Sequence, residues 1–350
     1  MSQFGEFERY SRQILFAPVG IEGQRKLRAA TVLVVGCGAL GSSVLELLAR
    51  AGVGRLRFVD RDFVELSNLQ RQALYTERDA AERLPKAVAA HRALGAINSE
   101  PVYEPVVADC NHTNAESLAE GVDLILDGTD NFETRFLINE VAVKRSRPYI
   151  YAACLGSTGT CMPILPGRTP CLQCIIPEPP ARSELPTCDT VGILAPAVRL
   201  VSSLECACAL RLLVAGPDTI PASLTQLDCW SGEFATVDMA DARLADCPVC
   251  GRREFRYLSG AEATQAVALC GRNTVQIHFP PADPGRPARV DFARLAERLA
   301  RVGSTTWNEY LLTFQAPPFE LVVFPDGRCL IKGTDDPAVA KTVYAQYIGL

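Results

Sequence analysis

Apolar positions in the first half of the chain fall into short unbroken runs separated by stretches of helical period. Thr31–Val35 (TVLVV) is a continuous β-branched run, the pattern of a strand buried on both faces of a parallel sheet. The following SSVLELLARAG has helical spacing and stops at Gly52, a residue suited to ending a helix. RLRFV then leads to Asp60, and residues 122–126 lead to Asp127-Gly-Thr-Asp130-Asn131 ahead of another amphipathic helix. Strand alternating with helix predicts an α/β fold: a Rossmann-like, doubly wound, mostly parallel sheet. Past residue 252 the pattern changes. TVQIHF (274–279), NEYLLTFQ (308–315) and FELVVF (319–324) read as strands, and the last turns through Pro325-Asp-Gly-Arg328 into CLIKG, a hairpin signal. DFARLAERLARVG and DPAVAKTVYAQYIG read as helices, with PPADPGRPA as a loop. Two domains are therefore expected, an α/β domain over 1–252 and a small α+β domain over 253–350.

Composition narrows the function classes. Of 350 residues, 48% are hydrophobic and 21% charged, enough apolar material for a large core and against wholesale disorder. A net charge of −5 argues against a general nucleic-acid binder, which needs a basic face. No run reaches the roughly 18–20 apolar residues of a membrane span, and MSQFGEFERYSRQ has no apolar core of a signal peptide. The expectation is a soluble, cytoplasmic protein. In that setting the 14 cysteines read as thiols and metal ligands rather than a disulfide framework. The three histidines, His91, His112 and His278, stand apart from any placed partner and read as structural, which argues against a histidine-dependent triad.

The first apolar run opens into Gly36-Cys-Gly38-Ala39-Leu-Gly41. A lone GxGxxG says little, but here it follows a strand, opens a helix, and has an acid, Asp60, at the end of the next strand. The glycines permit a tight turn and close backbone approach to phosphate, the helix N-terminus attracts the anion, and the acid can bond ribose hydroxyls. The fingerprint leaves the nucleotide unnamed. Asp62, Asn68 and Arg71 cluster just beyond, and Lys86 opens a helix after Pro85; two cations beside a phosphate loop suit a triphosphate better than a diphosphate bridge. If the 122–126 strand lies beside the first, Asp130 reaches the switch point, where it can hold Mg2+. Thr129, Asp130 or Asn131 can equally cap the following helix, and the two roles are compatible.

Two CxxC pairs, Cys171/Cys174 and Cys247/Cys250, each lie in a turn context. Together they predict a tetrahedral four-cysteine Zn2+ site stapling two distant segments; neither opens a thioredoxin-like helix after a strand, as a redox pair would. Cys188 follows the proline-rich PEPPARSELP and precedes TVGILAPAVRLVSSLECACALRLL, read as one helix. A thiol there is either a nucleophile with a lowered pKa or an incidental cysteine. Cys206 and Cys208 read as packing residues, and Cys37 as a small residue tolerated in the loop.

In this order, RYSRQILF, GCGALG, DRDFVELSNLQRQ, LPK, DGTDN, TCDTVGILAP and both CxxC pairs resemble the ThiF/MoeB/HesA family. These are sulfur-carrier adenylyltransferases related to ubiquitin-activating enzymes, and the match spans about Arg9 to Cys250. The resemblance implies a homodimer that uses ATP and Mg2+ to adenylylate the C-terminal Gly-Gly carboxylate of a small β-grasp ubiquitin-like carrier. The product then goes to a sulfur donor or conjugation acceptor. It implies that Gly36, Gly38, Ala39 and Gly41 cradle the nucleotide, with Asp60 on the ribose and Asp62 and Asn131 beside it. Asn68, Arg71 and Lys86 grip the phosphates, Asp130 holds magnesium, and Arg12 reaches in from the partner subunit. Ala39 departs from members with a third glycine, the stretch from Arg71 to Lys86 is slightly longer than in some relatives, and Cys188 matches a position that only some members use covalently. A nicotinamide-dependent oxidoreductase, a tRNA-modifying dehydratase-type enzyme activating a small carboxylate, and a non-catalytic scaffold are the competing readings; Arg12, Asn68, Arg71, Lys86 and Asp130 together weigh against them. Neither Cys270 nor Cys329 sits in a rhodanese-like loop, so the tail is expected to be a docking module for the carrier or an acceptor.

Overall fold

In the computed structural model the described residues are 5–179, 188–262, 266–269, 273–277 and 290–348. The stretches 180–187 and 278–289, the latter with His278, and Cys270 lie outside them, as do the side chains of Cys188 and Asp189. The chain divides into two compact units, one formed by residues up to 180 and 193–262, the other by 181–192 and 263–350.

In the first unit a short 3-10 helix, Gly5–Tyr10, runs into α1 (Ser11–Ile14) and α2 (Gly20–Ala29). The wound core follows: β1 (Thr31–Val35), α3 (Ala39–Ala51), β2 (Arg55–Asp60), α4 (Glu77–Ala81), α5 (Lys86–Ile97), β3 (Val102–Val107), α6 (Ala115–Leu118), β4 (Leu124–Asp127), α7 (Phe132–Arg145) and β5 (Tyr149–Leu155). The antiparallel strand β6 (Thr158–Ile164) leads to α8 (Leu172–Ile175); α9 (Cys188–Val191) is counted with the other unit, and the first resumes with the long α10 (Ala195–Ala215) and the hairpin β7 (Ser223–Asp228) and β8 (Glu233–Asp238). The sheet order is β3-β2-β1-β4-β5-β6-β7-β8. Its first five strands are parallel and the last three antiparallel.

This is the doubly wound sheet that the apolar runs predict. Residues 32–35 of β1 and all of β4 are buried, as strands covered on both faces must be. One face carries a core of Leu33, Val35, Val59, Phe136, Ile138 and their neighbours from α6 and α7; α2, α3 and α10 pack together elsewhere on the sheet with β5 and β6. The winding reverses between β1 and β4, so the segments that follow these two neighbouring strands diverge. One expected boundary moves. The helix read from Thr190 onward is broken: Gly192 takes φ +80, Pro196 enters the first turn of α10, and Cys188 opens only the four-residue α9.

The second unit is α+β. Strands β9 (Ala266–Leu269), β10 (Thr274–Ile277), β11 (Ser304–Trp307), β12 (Leu312–Ala316), β13 (Phe319–Val323) and β14 (Cys329–Lys332) form an antiparallel sheet of order β11-β12-β13-β14-β10-β9. Helices α11 (Phe292–Leu299) and α12 (Pro337–Tyr347) share a core with it, including Phe314, Leu321, Ile331, Leu299 and Tyr344. Asp291 and Asp336 cap the two helices through the N–H groups of Arg294 and Ala338. The strand reading missed β9 and β11; Ser304–Trp307 is mostly exposed and polar, so it carries no alternation to read. Cys329 is fully buried as the first residue of β14. Among the described residues no helix is long and apolar enough to cross a membrane.

Candidate functional site

The carboxyl ends of β1 and β4 meet through glycines. Gly36 has φ +92, and a Cβ there would lie 2.4 Å from the Gly128 carbonyl oxygen. A Cβ on Gly41 would come within 1.9 Å of the Gly36 oxygen. These two glycines are needed for packing helix and loop against the neighbouring strand. Gly38 is different: as the N-cap of α3, its Cβ would meet nothing nearer than 3.9 Å. The chain does not need a glycine there for its own packing, and the space is left at a helix N-terminus, where backbone N–H groups favour an anion. Ala39 begins α3 and packs beside Leu40, Ala152 and Val198.

Asp60 ends β2 and ties itself to this loop, accepting the Cys37 N–H at 2.7 Å and the Asp62 N–H at 2.7 Å. Burial pushes its carboxyl above the usual range, while Lys86 pulls it down. Lys86 opens α5 and is buried, its Nζ donating to Asp62 Oδ2 at 3.0 Å. The intervening segment is pinned to the loop: the Tyr75 hydroxyl donates to the Cys37 carbonyl at 2.6 Å, and the Ala73 N–H to Ser42 Oγ at 3.1 Å. This segment carries Asn68, which is buried and accepts the Glu65 N–H, and the half-buried Arg71, which donates to the Ser67 carbonyl. Gly36, Asp60, Asp62, Lys86 and the Asn68–Arg71 turn are thus linked by direct contacts or short chain segments.

Asp130 and Asn131 follow β4, and the capping question has an answer. Asn131 caps α7, its Oδ1 accepting the Thr134 N–H at 2.9 Å, and Asp130 beside it is exposed. Beneath them lies a buried network that sequence reasoning did not find. Asp127 accepts from the Tyr149 hydroxyl at 2.7 Å, Arg135 Nε at 3.2 Å and the Thr129 N–H and hydroxyl. Arg135 also donates to the carbonyls of Thr129 and Ala152. The Asp127 N–H donates to Glu205 Oε1 at 2.9 Å across 78 residues of chain. Burial, then the nearby Asp127 charge, pushes the Glu205 carboxyl well above the usual range. Arg61 was also missed; the only signal was a cation set between two acids in Asp60-Arg61-Asp62.

Arg12 stands elsewhere. It is exposed on α1, whose Gln13 donates to the Ala51 carbonyl at the far end of α3. Thirteen residues of helix separate that end from the glycine loop, about 20 Å at 1.5 Å per residue. Cys188 opens α9, and its side chain is among those not described.

The two CxxC pairs do come together. Cys171 and Cys174 lie 3.9 Å apart at sulfur, Cys171 and Cys247 3.6 Å, and Cys174 and Cys250 3.4 Å. All four sulfurs fall within 4.8 Å of one another, and three of the residues are buried. A tetrahedron of thiolates about 2.3 Å from a metal has edges of about 3.8 Å, so the group fits a four-coordinate ion. Both arms rest on α7. Asn139 Oδ1 accepts the Leu172 N–H at 2.9 Å, and Glu140 accepts the N–H groups of Tyr257 and Leu258.

The chain resembles known proteins over most of its length. The sulfur carrier protein ThiS adenylyltransferase of Bacillus subtilis is 43% identical over 97% of this chain and 99% of its own length. A sulfur carrier protein adenylyltransferase of Thermus thermophilus is 38% identical, with 76% of this chain covering 97% of that relative. Among solved structures, Escherichia coli MccB with ATP superposes with a TM-score of 0.61 at 24% identity, over 70% of this chain and 74% of its own, a likeness of fold. The ThiF family model matches residues 10–249, from the tyrosine before α1 to the second cysteine pair, and the chain belongs to the ThiF family.

Proposed function

We propose that the chain uses ATP to adenylylate the C-terminal glycine carboxylate of a small β-grasp sulfur-carrier protein, releasing pyrophosphate. The observation that carries this is the linked set at the β1/β4 switch point, in a chain 43% identical over nearly its whole length to a ThiS adenylyltransferase. The attacking carboxylate is ionised at neutral pH, so no general base is required. Catalysis is then positioning and charge neutralisation at the α-phosphate. The loop of Gly36, Gly38, Ala39 and Gly41 would cradle the nucleotide, with Asn131 nearby and Asp60 on the ribose; Asp60 has two carboxylate oxygens and therefore lone pairs to spare beyond its two loop N–H bonds. Asn68, Arg71 and Lys86 would hold the phosphates, with Asp62 orienting Lys86. Asp130, free of the capping role, is the residue to hold Mg2+, which would neutralise phosphate charge.

Arg12 fits a role in trans. Its own glycine loop is a helix length away, and the chain beside it exposes Leu15, Phe16 and Ile21, apolar surface of the kind a second copy covers. A homodimer would bring each Arg12 to the other subunit's site. The four cysteines would hold structural Zn2+, since four thiolates leave no open position for chemistry. The second unit is proposed as a docking module for the carrier or an acceptor. The test is ATP–pyrophosphate exchange by the zinc-loaded full chain with Mg2+ and, one at a time, small β-grasp proteins ending in Gly-Gly. Exchange dependent on one carrier is expected; silence with every carrier sinks the proposal.

A further inference from the structure

Arg61 has no part in the reading above, yet it sits at the centre of the charges that reading uses. Its Nη1 donates to Asp109 Oδ1 at 3.1 Å, just past β3, and its Nε lies 4.0 Å from Asp62 Oδ1. Asp62 turns its other oxygen to Lys86 Nζ at 3.0 Å. Asp109, Arg61, Asp62 and Lys86 therefore form a row of alternating charge across the tips of two strands and the start of α5. Burial works against the Arg61 charge, and Asp109, Asp62, Asp130 and Asp60 outweigh it, so the guanidinium stays charged with acids on several sides.

The row has a consequence for an incoming triphosphate. A buried ammonium that alone balances a carboxylate has less of its field left for phosphate than one whose carboxylate is shared with a second cation. A polyanion arriving beside Asp60, Asp62, Asp109 and Asp130 is also repelled by each of them. We propose that Arg61 is a positioning residue for MgATP: it takes up the charge of Asp62, which leaves Lys86 to the phosphates, and it offsets the acids around the site. Arg61 acts through Asp62 and Lys86 and need not touch the nucleotide. The proposal rests on the ATP-using reading. A guanidinium suits the place because its fork reaches Asp109 and Asp62 together, where an ammonium is a point charge.

The test measures MgATP affinity by titration calorimetry, and kcat and KM for ATP in pyrophosphate exchange, on zinc-loaded full chain. Variants are Arg61→Gln, Arg61→Lys and Asp109→Asn. Arg61→Gln is expected to weaken MgATP binding and raise KM about ten-fold while kcat stays within about two-fold. Arg61→Lys should recover most of the affinity, because the charge returns. Asp109→Asn should leave KM within about two-fold of wild type or lower it, since it removes an acid. If Arg61 merely fastens β2 to β3, Arg61→Gln and Asp109→Asn will lower Tm alike and leave KM where it was, which overturns the proposal. Wild type that binds MgATP while Arg61→Gln binds equally well sinks this inference alone. Wild type that binds no MgATP sinks the functional reading and this inference with it.

Discussion

Helix α7 serves two centres of opposite character. At its N-terminal end, Asp130 is exposed and Arg71 and Asp60 are only partly covered, so that end of the sheet is open to an incoming ligand. Halfway along the same helix, Asn139 and Glu140 fasten both arms of a cysteine cluster whose sulfurs face one another and are nearly all buried. The open end is stocked with charges balanced against each other, and the closed one with four equivalent donors. Charges held apart by partial exposure are available to a ligand. Four sulfurs that converge within 4.8 Å of one another are placed to share one ion. One helix thus starts at the exposed end of the sheet and fastens the cysteine cluster at its middle.

The contrast breaks most visibly by removing the metal. Stripping the zinc-loaded chain with a chelator should lower Tm by about 10 °C or more, because four clustered thiols lose their common partner and two segments 76 positions apart come loose. Calorimetry before and after reloading reads this; an unchanged Tm would mean the cysteines are not a staple. Next comes the base of the open end. Asp127→Asn leaves Arg135 buried beside a neutral group and should cost about 3–5 kcal/mol in urea unfolding. A cost under about 1 kcal/mol would show the network to be ornamental.

Glu205→Gln should have the smallest effect and a pH signature. Its folded carboxyl is raised by burial, so above the unfolded pKa the native state keeps a proton that the unfolded chain has lost. Wild-type stability therefore falls as pH rises from the unfolded pKa toward the folded one, and this contribution vanishes in the amide. The variant should match wild type near pH 5 and exceed it at pH 8, as read by urea midpoints. The opposite trend would mean that Glu205 is charged in the folded protein.

Legibility in the sequence followed locality. Gly36, Gly41 and Asp60 could be read because strand, loop, helix and acid are contiguous, and the cysteine centre because each pair marks itself by spacing. The capping ambiguity at residues 129–131 needed coordinates: Asn131 and Asp130 are equally good caps on paper, and only one of them reaches the Thr134 N–H. Partners separated along the chain were invisible. Nothing at Glu205 announces Asp127, and nothing at Arg61 announces Asp109. Both lie inside patterns already explained, as a helix residue and a strand-tip charge. The break at Gly192 was overlooked because apolar period continues across it. In the second unit β11 lies at the sheet edge with mostly exposed residues, so burial had imposed no pattern to find.

The most direct test of the division between open and closed centres is Asp130→Ala, measured in one preparation for zinc content, Tm and carrier-dependent ATP–pyrophosphate exchange. The expected result is exchange reduced about a thousand-fold or more, with zinc content and Tm as in wild type, since Asp130 is exposed and caps nothing. Exchange within about ten-fold of wild type, or a loss of exchange accompanied by loss of zinc and a fall in Tm, would contradict the account.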